Sequence, residues 1–130
     1  MTKRKNILVT GGTGFIGSTL TQYLVGQGYH VTVLTRTSQQ GRNNLDQIDF
    51  VSSLNTIRNS DWYGIVNLAG EPLNKVRWSV GQKEKIINSR VTLTCRINDW
   101  IRDLQVPPEI LISGSAVGWY GHWDDECLDE

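Results

Sequence analysis

The feature that most constrains this chain lies at its start: a short apolar run, a glycine-rich loop, then a helical pattern. Asn6-Ile7-Leu8-Val9-Thr10 is apolar at its centre and stops at a glycine, which suits a strand buried on both faces. Gly11-Gly12-Thr13-Gly14-Phe15-Ile16-Gly17 follows, with Gly-x-x-Gly-x-x-Gly spacing. Ile16, Leu20, Tyr23 and Leu24 then recur at helical intervals, and Gly26 and Gly28 punctuate the end of that helix. Strand, glycine loop and helix in this order place an anion such as a pyrophosphate at a helix N-terminus. There, unpaired N–H groups and the positive end of the helix dipole favour phosphate. Gly11 is expected to turn where a Cβ would clash, Gly14 to let the backbone approach the phosphates, and Gly17 to allow close helix–strand packing. The competing reading is a tight strand–helix turn with no ligand. A Walker A loop is excluded, because no Lys-Ser or Lys-Thr follows the last glycine.

The rest of the chain repeats the alternation. His30-Val31-Thr32-Val33-Leu34-Thr35 is rich in β-branched residues and reads as a second strand, followed by a polar loop from Thr37 to Asn44. Ile48-Asp49-Phe50-Val51 and Leu54 to Arg58 carry weaker signals for a short strand and a short helix. Gly64-Ile65-Val66-Asn67-Leu68-Ala69-Gly70 is a clearer buried strand, Val80 to Leu104 the longest helical pattern, and Glu109-Ile110-Leu111-Ile112-Ser113 a last strand after Pro107-Pro108. Strands alternating with helices imply parallel strands joined by right-handed crossovers. The expected fold is α/β, a doubly wound parallel sheet of the Rossmann type, truncated after the fifth strand. Residues 1–130 read as one nucleotide-binding domain without a substrate lobe.

Lys plus Arg and Asp plus Glu both number 13, for a formal net charge of zero. That gives no support for a nucleic-acid or membrane-surface role, each of which usually leaves a basic excess. The acids gather in Asp124-Asp125-Glu126 and Asp129-Glu130, which reads as a solvated tail. Cys95 and Cys127 form no CxxC pair, and His30 and His122 lie far from both in sequence, so no metal site is expected. The apolar run after Thr2-Lys3-Arg4-Lys5 is too short for a signal-peptide core, so the expected location is cytoplasmic.

Two further positions speak to ligand choice. Proteins that prefer NAD usually place an Asp or Glu at the end of the second strand, about 20 residues past the glycines, to hold ribose hydroxyls. Here Thr35-Arg36-Thr37 stands instead, and the next acid is Asp46. An arginine there can fork onto a 2′-phosphate, so NADP is the expected cofactor, with NAD the alternative. On the long helix, Ile86, Arg90, Leu93, Ile97, Trp100 and Leu104 form one stripe at spacings of four and three. Arg90 has two open readings: a rim residue whose stem covers apolar surface, or a ligand for phosphate or ribose oxygens.

These residues together carry a family resemblance. Val9-Thr10-Gly11-Gly12-Thr13-Gly14-Phe15-Ile16-Gly17 resembles the fingerprint of extended and atypical short-chain dehydrogenase/reductases, the NAD-dependent epimerase/dehydratase group. Val33-Leu34-Thr35-Arg36, Val66 to Pro72, Arg77-Trp78, Asn88-Ser89-Arg90 and Leu111 to Gly121 narrow it to proteins similar to the SulA-like epimerase family subgroup. The resemblance implies NADP(H) held by Gly11, Gly12, Thr13, Gly14, Phe15, Ile16, Thr35, Arg36, Leu68, Ala69, Gly70 and Arg90, with Lys85 one helical turn before Arg90 also facing it. It also implies a catalytic serine after the fifth strand, at Ser115, partnered in typical relatives by a Tyr-x-x-x-Lys pair. Within this sequence that pair is absent: Tyr23 is followed four residues later by Gln27, and Tyr120 by Asp124. Trp78, Trp119 and Tyr120 fit either a substrate cleft or core packing. Two functions follow as expectations: a domain of an oxidoreductase or epimerase acting on an unidentified sugar-nucleotide-like or carbonyl substrate, or a non-catalytic NADP(H)-sensing module acting through a protein partner. An open sheet edge leaves room for a homodimer.

Overall fold

The structure, a computed structural model, describes residues 5–36, 47–57, 61–73 and 77–115. The described residues form five strands: β1 (Asn6–Thr10), β2 (His30–Leu34), β3 (Ile48–Val51), β4 (Trp62–Asn67) and β5 (Ile110–Ser113). Joining them are the α-helices α1 (Phe15–Gly26) and α2 (Val80–Arg102), with a 3-10 turn at Leu54–Thr56. All the strands are parallel and lie in the order β3-β2-β1-β4-β5. The chain therefore winds outward from β1 to β3, crosses back, and resumes on the other side of β1 with β4. The doubly wound sheet expected from the alternation of elements is the one found.

Each strand alternates its side chains between two apolar layers. Ile7, Val9, Val31 and Val33 point to one face and pack with Leu24 and Val25 of α1. Leu8 and Ile65 point to the other and pack with Ile97 of α2, joined by Trp62, Leu54, Leu93 and Trp100. Burial on both faces is why β1 reads as a continuous apolar run rather than as an alternating one. The Trp62 and Trp100 rings meet edge-to-face, 5.8 Å apart at 65°. The stripe expected on the long helix is the one that packs: Ile97 is buried, and Ile86, Leu93, Trp100 and Leu104 are half-buried.

The inward face of α1 differs from the expected one. Ile16 and Tyr23 are exposed, while Gly17 and Thr21 are buried and Leu24 and Val25 half-buried. The cause is Gly17. A Cβ there would overlap the carbonyl oxygen of Gly11, so the helix settles with residue 17 pressed onto the loop. The line 17-21-24-25 then faces the sheet, and Ile16 and Tyr23 swing aside. The contact expected of Gly17 with a strand is thus made with the loop itself. Gly12 is the residue that meets a strand, since a Cβ on it would lie 2.8 Å from Cγ1 of Val33.

Among the described residues no helix is long and apolar enough to cross a membrane. Cys95 is an exposed free thiol. The loop from Thr37 to Asn44, the acidic tail, Cys127, Trp119 and Tyr120 lie outside the described residues.

Candidate functional site

In an open parallel sheet, the carboxyl ends of neighbouring strands separate where the winding reverses, and ligands settle in that crevice. Here the reversal falls between β1 and β4. A cleft of about 520 Å³ opens there, within the range of roughly 300–1,000 Å³ usual for small-molecule sites. Its floor is Gly11, Thr13 and Gly14; its walls are Leu34, Thr35 and Arg36 after β2 and Leu68 to Pro72 after β4.

The floor is shaped by backbone alone. Gly11 has φ of +69°, and a Cβ on it would meet the carbonyl carbon of Leu68 at 2.7 Å. Only glycine satisfies both the left-handed backbone and the close approach of the β4 end. The Gly14 N–H donates to the Gly11 carbonyl at 3.0 Å, closing the turn. Gly14 then caps α1 with no side-chain hydrogen bond, and the first turn holds no acid. The first-turn N–H groups of α1 have no partner within the helix and line up for an anion at its positive end.

A buried polar network sets the wall after β4. The Thr10 hydroxyl donates to Asn67 Oδ1 at 2.6 Å and accepts from the Ala69 N–H at 3.3 Å. Asn67 Nδ2 donates to Thr94 Oγ1 at 3.1 Å and to Ser113 Oγ at 3.5 Å. One amide thus ties the ends of β1, β4 and β5 to α2 and fixes where Leu68 and Ala69 run. Beyond them, the Glu71 N–H donates to Ser89 Oγ at 2.8 Å.

The structure gathers eight of the residues expected at the cofactor around this cleft: Gly11, Thr13, Gly14, Thr35, Arg36, Leu68, Ala69 and Gly70. Gly12 lies beneath it, buried against Val33. Phe15 and Ile16, on the first turn of α1, do not line it and are exposed, Phe15 to 96%. Lys85 is exposed on α2 and does not line the cleft, and neither does Ser115, which is exposed two residues past β5. Arg90 is directed to the loop instead. Its Nη1 donates to the Glu71 carbonyl at 3.2 Å and the Ile86 carbonyl at 3.3 Å, with Ser89 Oγ at 3.4 Å. Its guanidinium covers Gly70, where a Cβ would lie 2.8 Å from Cζ.

Several lining residues are not among those expected at the cofactor. Ser52, Ser53 and Leu54 follow β3, and Asn88, Ser89, Thr92, Leu93 and Arg96 come from α2. The spacing of Asn88, Thr92 and Arg96 by four is a legible polar stripe. Only the packing of Ile97 against the sheet shows that it borders the cleft. Glu71 is also a wall residue, and its Oε2 lies 3.7 Å from Arg36 Nη2.

Fold and site together define a doubly wound α/β domain with a ligand cleft at the switch point, floored by a glycine loop. The model of the NAD dependent epimerase/dehydratase family matches residues 7–129, and the chain belongs to that family. It is 35% identical over 117 residues to epimerase family protein SH2119 of Staphylococcus haemolyticus, covering 89% of this chain and 39% of that protein. Among solved structures, human epimerase family protein SDR39U1 (isoform 2) with NADPH superposes with a TM-score of 0.74 at 29% identity, over 88% of this chain and 38% of that one. UDP-glucose 4-epimerase from Brucella ovis in complex with NAD gives 0.69 at 27% identity, over 91% of this chain and 38% of the other. The chain thus spans about two fifths of the length of these relatives.

Proposed function

We propose that this chain is the domain that holds NADP(H) in an epimerase/dehydratase-family oxidoreductase acting on a sugar-nucleotide-like or carbonyl substrate, and that it turns over no substrate alone. The observation that carries the reading is the placing of Arg36 on the cleft wall at the end of β2, in the position where an acid would favour NAD. The residues present fit the cofactor. The uncapped start of α1 offers N–H donors to the pyrophosphate, and Gly11 and Gly14 leave room for it. Thr35 and Arg36 would hold a 2′-phosphate, and Leu68 to Gly70 would run beside the ribose. Bound cofactor supplies hydride chemistry. The chain's own residues bind it, orient it and shield one side.

NADP(H)-bound and NAD-bound structures both occur among the similar proteins, which supports NADP with NAD as the alternative. Isothermal titration calorimetry of the 130-residue chain tests the reading. NADPH is expected to bind at least about tenfold tighter than NADH, since charge-assisted hydrogen bonds contribute roughly 1.5–3 kcal/mol. Arg36→Asp is expected to reverse that order. Equal affinities before and after the substitution would refute the role given to Arg36.

A second reading is a binding module that senses NADP(H) and acts through a protein partner. The exposure of Ser115 outside the lining of the cleft favours it. Hydride exchange between NADPH and a panel of carbonyl compounds, run on a protein that includes this domain and a substrate lobe, separates the two. Turnover that Ser115→Ala reduces supports the enzyme, and binding without turnover supports the sensor.

A further inference from the structure

The carboxylate missing from the end of β2 is present on the opposite wall. Arg36 follows β2 and Glu71 follows β4, so the two flank the glycine loop at the end of β1, and both line the cleft. Their side chains meet at 3.7 Å. We propose that Glu71 is a selectivity residue: an internal counter-ion that competes with the cofactor's 2′-phosphate for Arg36 and so tempers the preference for NADP(H) over NAD(H). This rests on the reading of the cleft as a dinucleotide site.

The two partners are unequal. The Arg36 side chain is 90% exposed, whereas that of Glu71 is 27% exposed. The Glu71 backbone is also fastened on both sides, its N–H to Ser89 Oγ at 2.8 Å and its carbonyl to Arg90 Nη1 at 3.2 Å. The carboxylate is therefore the fixed member and the guanidinium the movable one. An arginine fork takes a planar or tetrahedral anion on its face of N–H donors, and a carboxylate already there must be displaced or shared. A phosphate monoester arriving at Arg36 carries close to two negative charges and meets the fixed charge of Glu71 at short range. A ribose 2′-hydroxyl carries none and is not repelled. It can instead donate to the carboxylate, the service an acid at the end of β2 gives in NAD-preferring proteins.

Titration of the chain and of Glu71→Gln with NADPH and NADH at low ionic strength tests this. The substitution removes the charge and keeps the length and the backbone contacts. NADPH is expected to bind about three- to tenfold tighter to the variant, the combined effect of a released partly exposed ion pair and a lost repulsion. NADH is expected to stay within about twofold or to weaken. The gain for NADPH should shrink as salt is raised, because exposed charges are screened. Glu71→Ser, which also keeps the backbone bonds, repeats the comparison with a shorter side chain, and the far-UV spectrum of each variant verifies its fold. Equal changes for the two dinucleotides, or none, overturn the selectivity role while leaving the site in place. Failure of the unsubstituted chain to bind either dinucleotide overturns the cleft reading and the proposal with it.

Discussion

At the scale of single residues, the glycines around the cleft divide by what a Cβ would strike. At Gly17 it would overlap the backbone carbonyl of Gly11, which cannot move without opening the loop. Gly17→Ala is expected to cost about 3 kcal/mol in urea unfolding and to abolish dinucleotide binding together. At Gly70 the neighbour is the guanidinium of Arg90, the far end of a flexible side chain. Gly70→Ala is expected to cost under about 1 kcal/mol, with displacement of Arg90 from the Glu71 carbonyl visible in a structure of the variant. Spacing alone made both positions visible as glycines after a strand. It did not separate the one that meets backbone from the one that meets a side chain. Asn67 is a similar case. Its place at a strand end was legible, but its bonds to Thr10, Thr94 and Ser113 join residues from four separate elements.

At the scale of elements, the two helices show when periodicity identifies a buried face. In α2 the apolar stripe and the packed face coincide, because apolar contact with Leu8, Trp62 and Ile65 is what holds that helix. Ile97→Ala is therefore expected to cost about 3–4 kcal/mol, and Ile87→Ala, on the exposed side, under about 0.5 kcal/mol by thermal unfolding. The Ser79 hydroxyl accepts from the Gln82 N–H at 3.1 Å and caps the start of α2. Its replacement by Ala is expected to remove about 1 kcal/mol. In α1 the stripe and the packed face diverge. The rotation of that helix follows the closest approach in its first turn, Gly17 on Gly11, and not the distribution of its large apolar residues. A pattern of side chains carries no record of a contact made by the lack of one.

At the scale of the whole molecule, one sheet separates two apolar layers, and each buried strand belongs to both. A defect in either layer is therefore expected to loosen the same unit. Val33→Ala on the α1 side and Ile97→Ala on the α2 side should each lower a single unfolding midpoint, with tryptophan fluorescence and far-UV circular dichroism moving together. Separate transitions for the two probes would show the layers to be independent. By itself, the sequence determined the main elements, the parallel direction of the strands and the glycine loop that floors the cleft. Each rests on short-range chemistry: backbone room, side-chain period and strand burial. Tertiary structure alone decided which residues oppose one another across the cleft. The stripe of Asn88, Thr92 and Arg96 became a wall, Arg90 became a clasp on the loop, and Glu71 came to face Arg36. Those pairs are set by the order in which strands lie in the sheet, a long-range choice that no local spacing encodes.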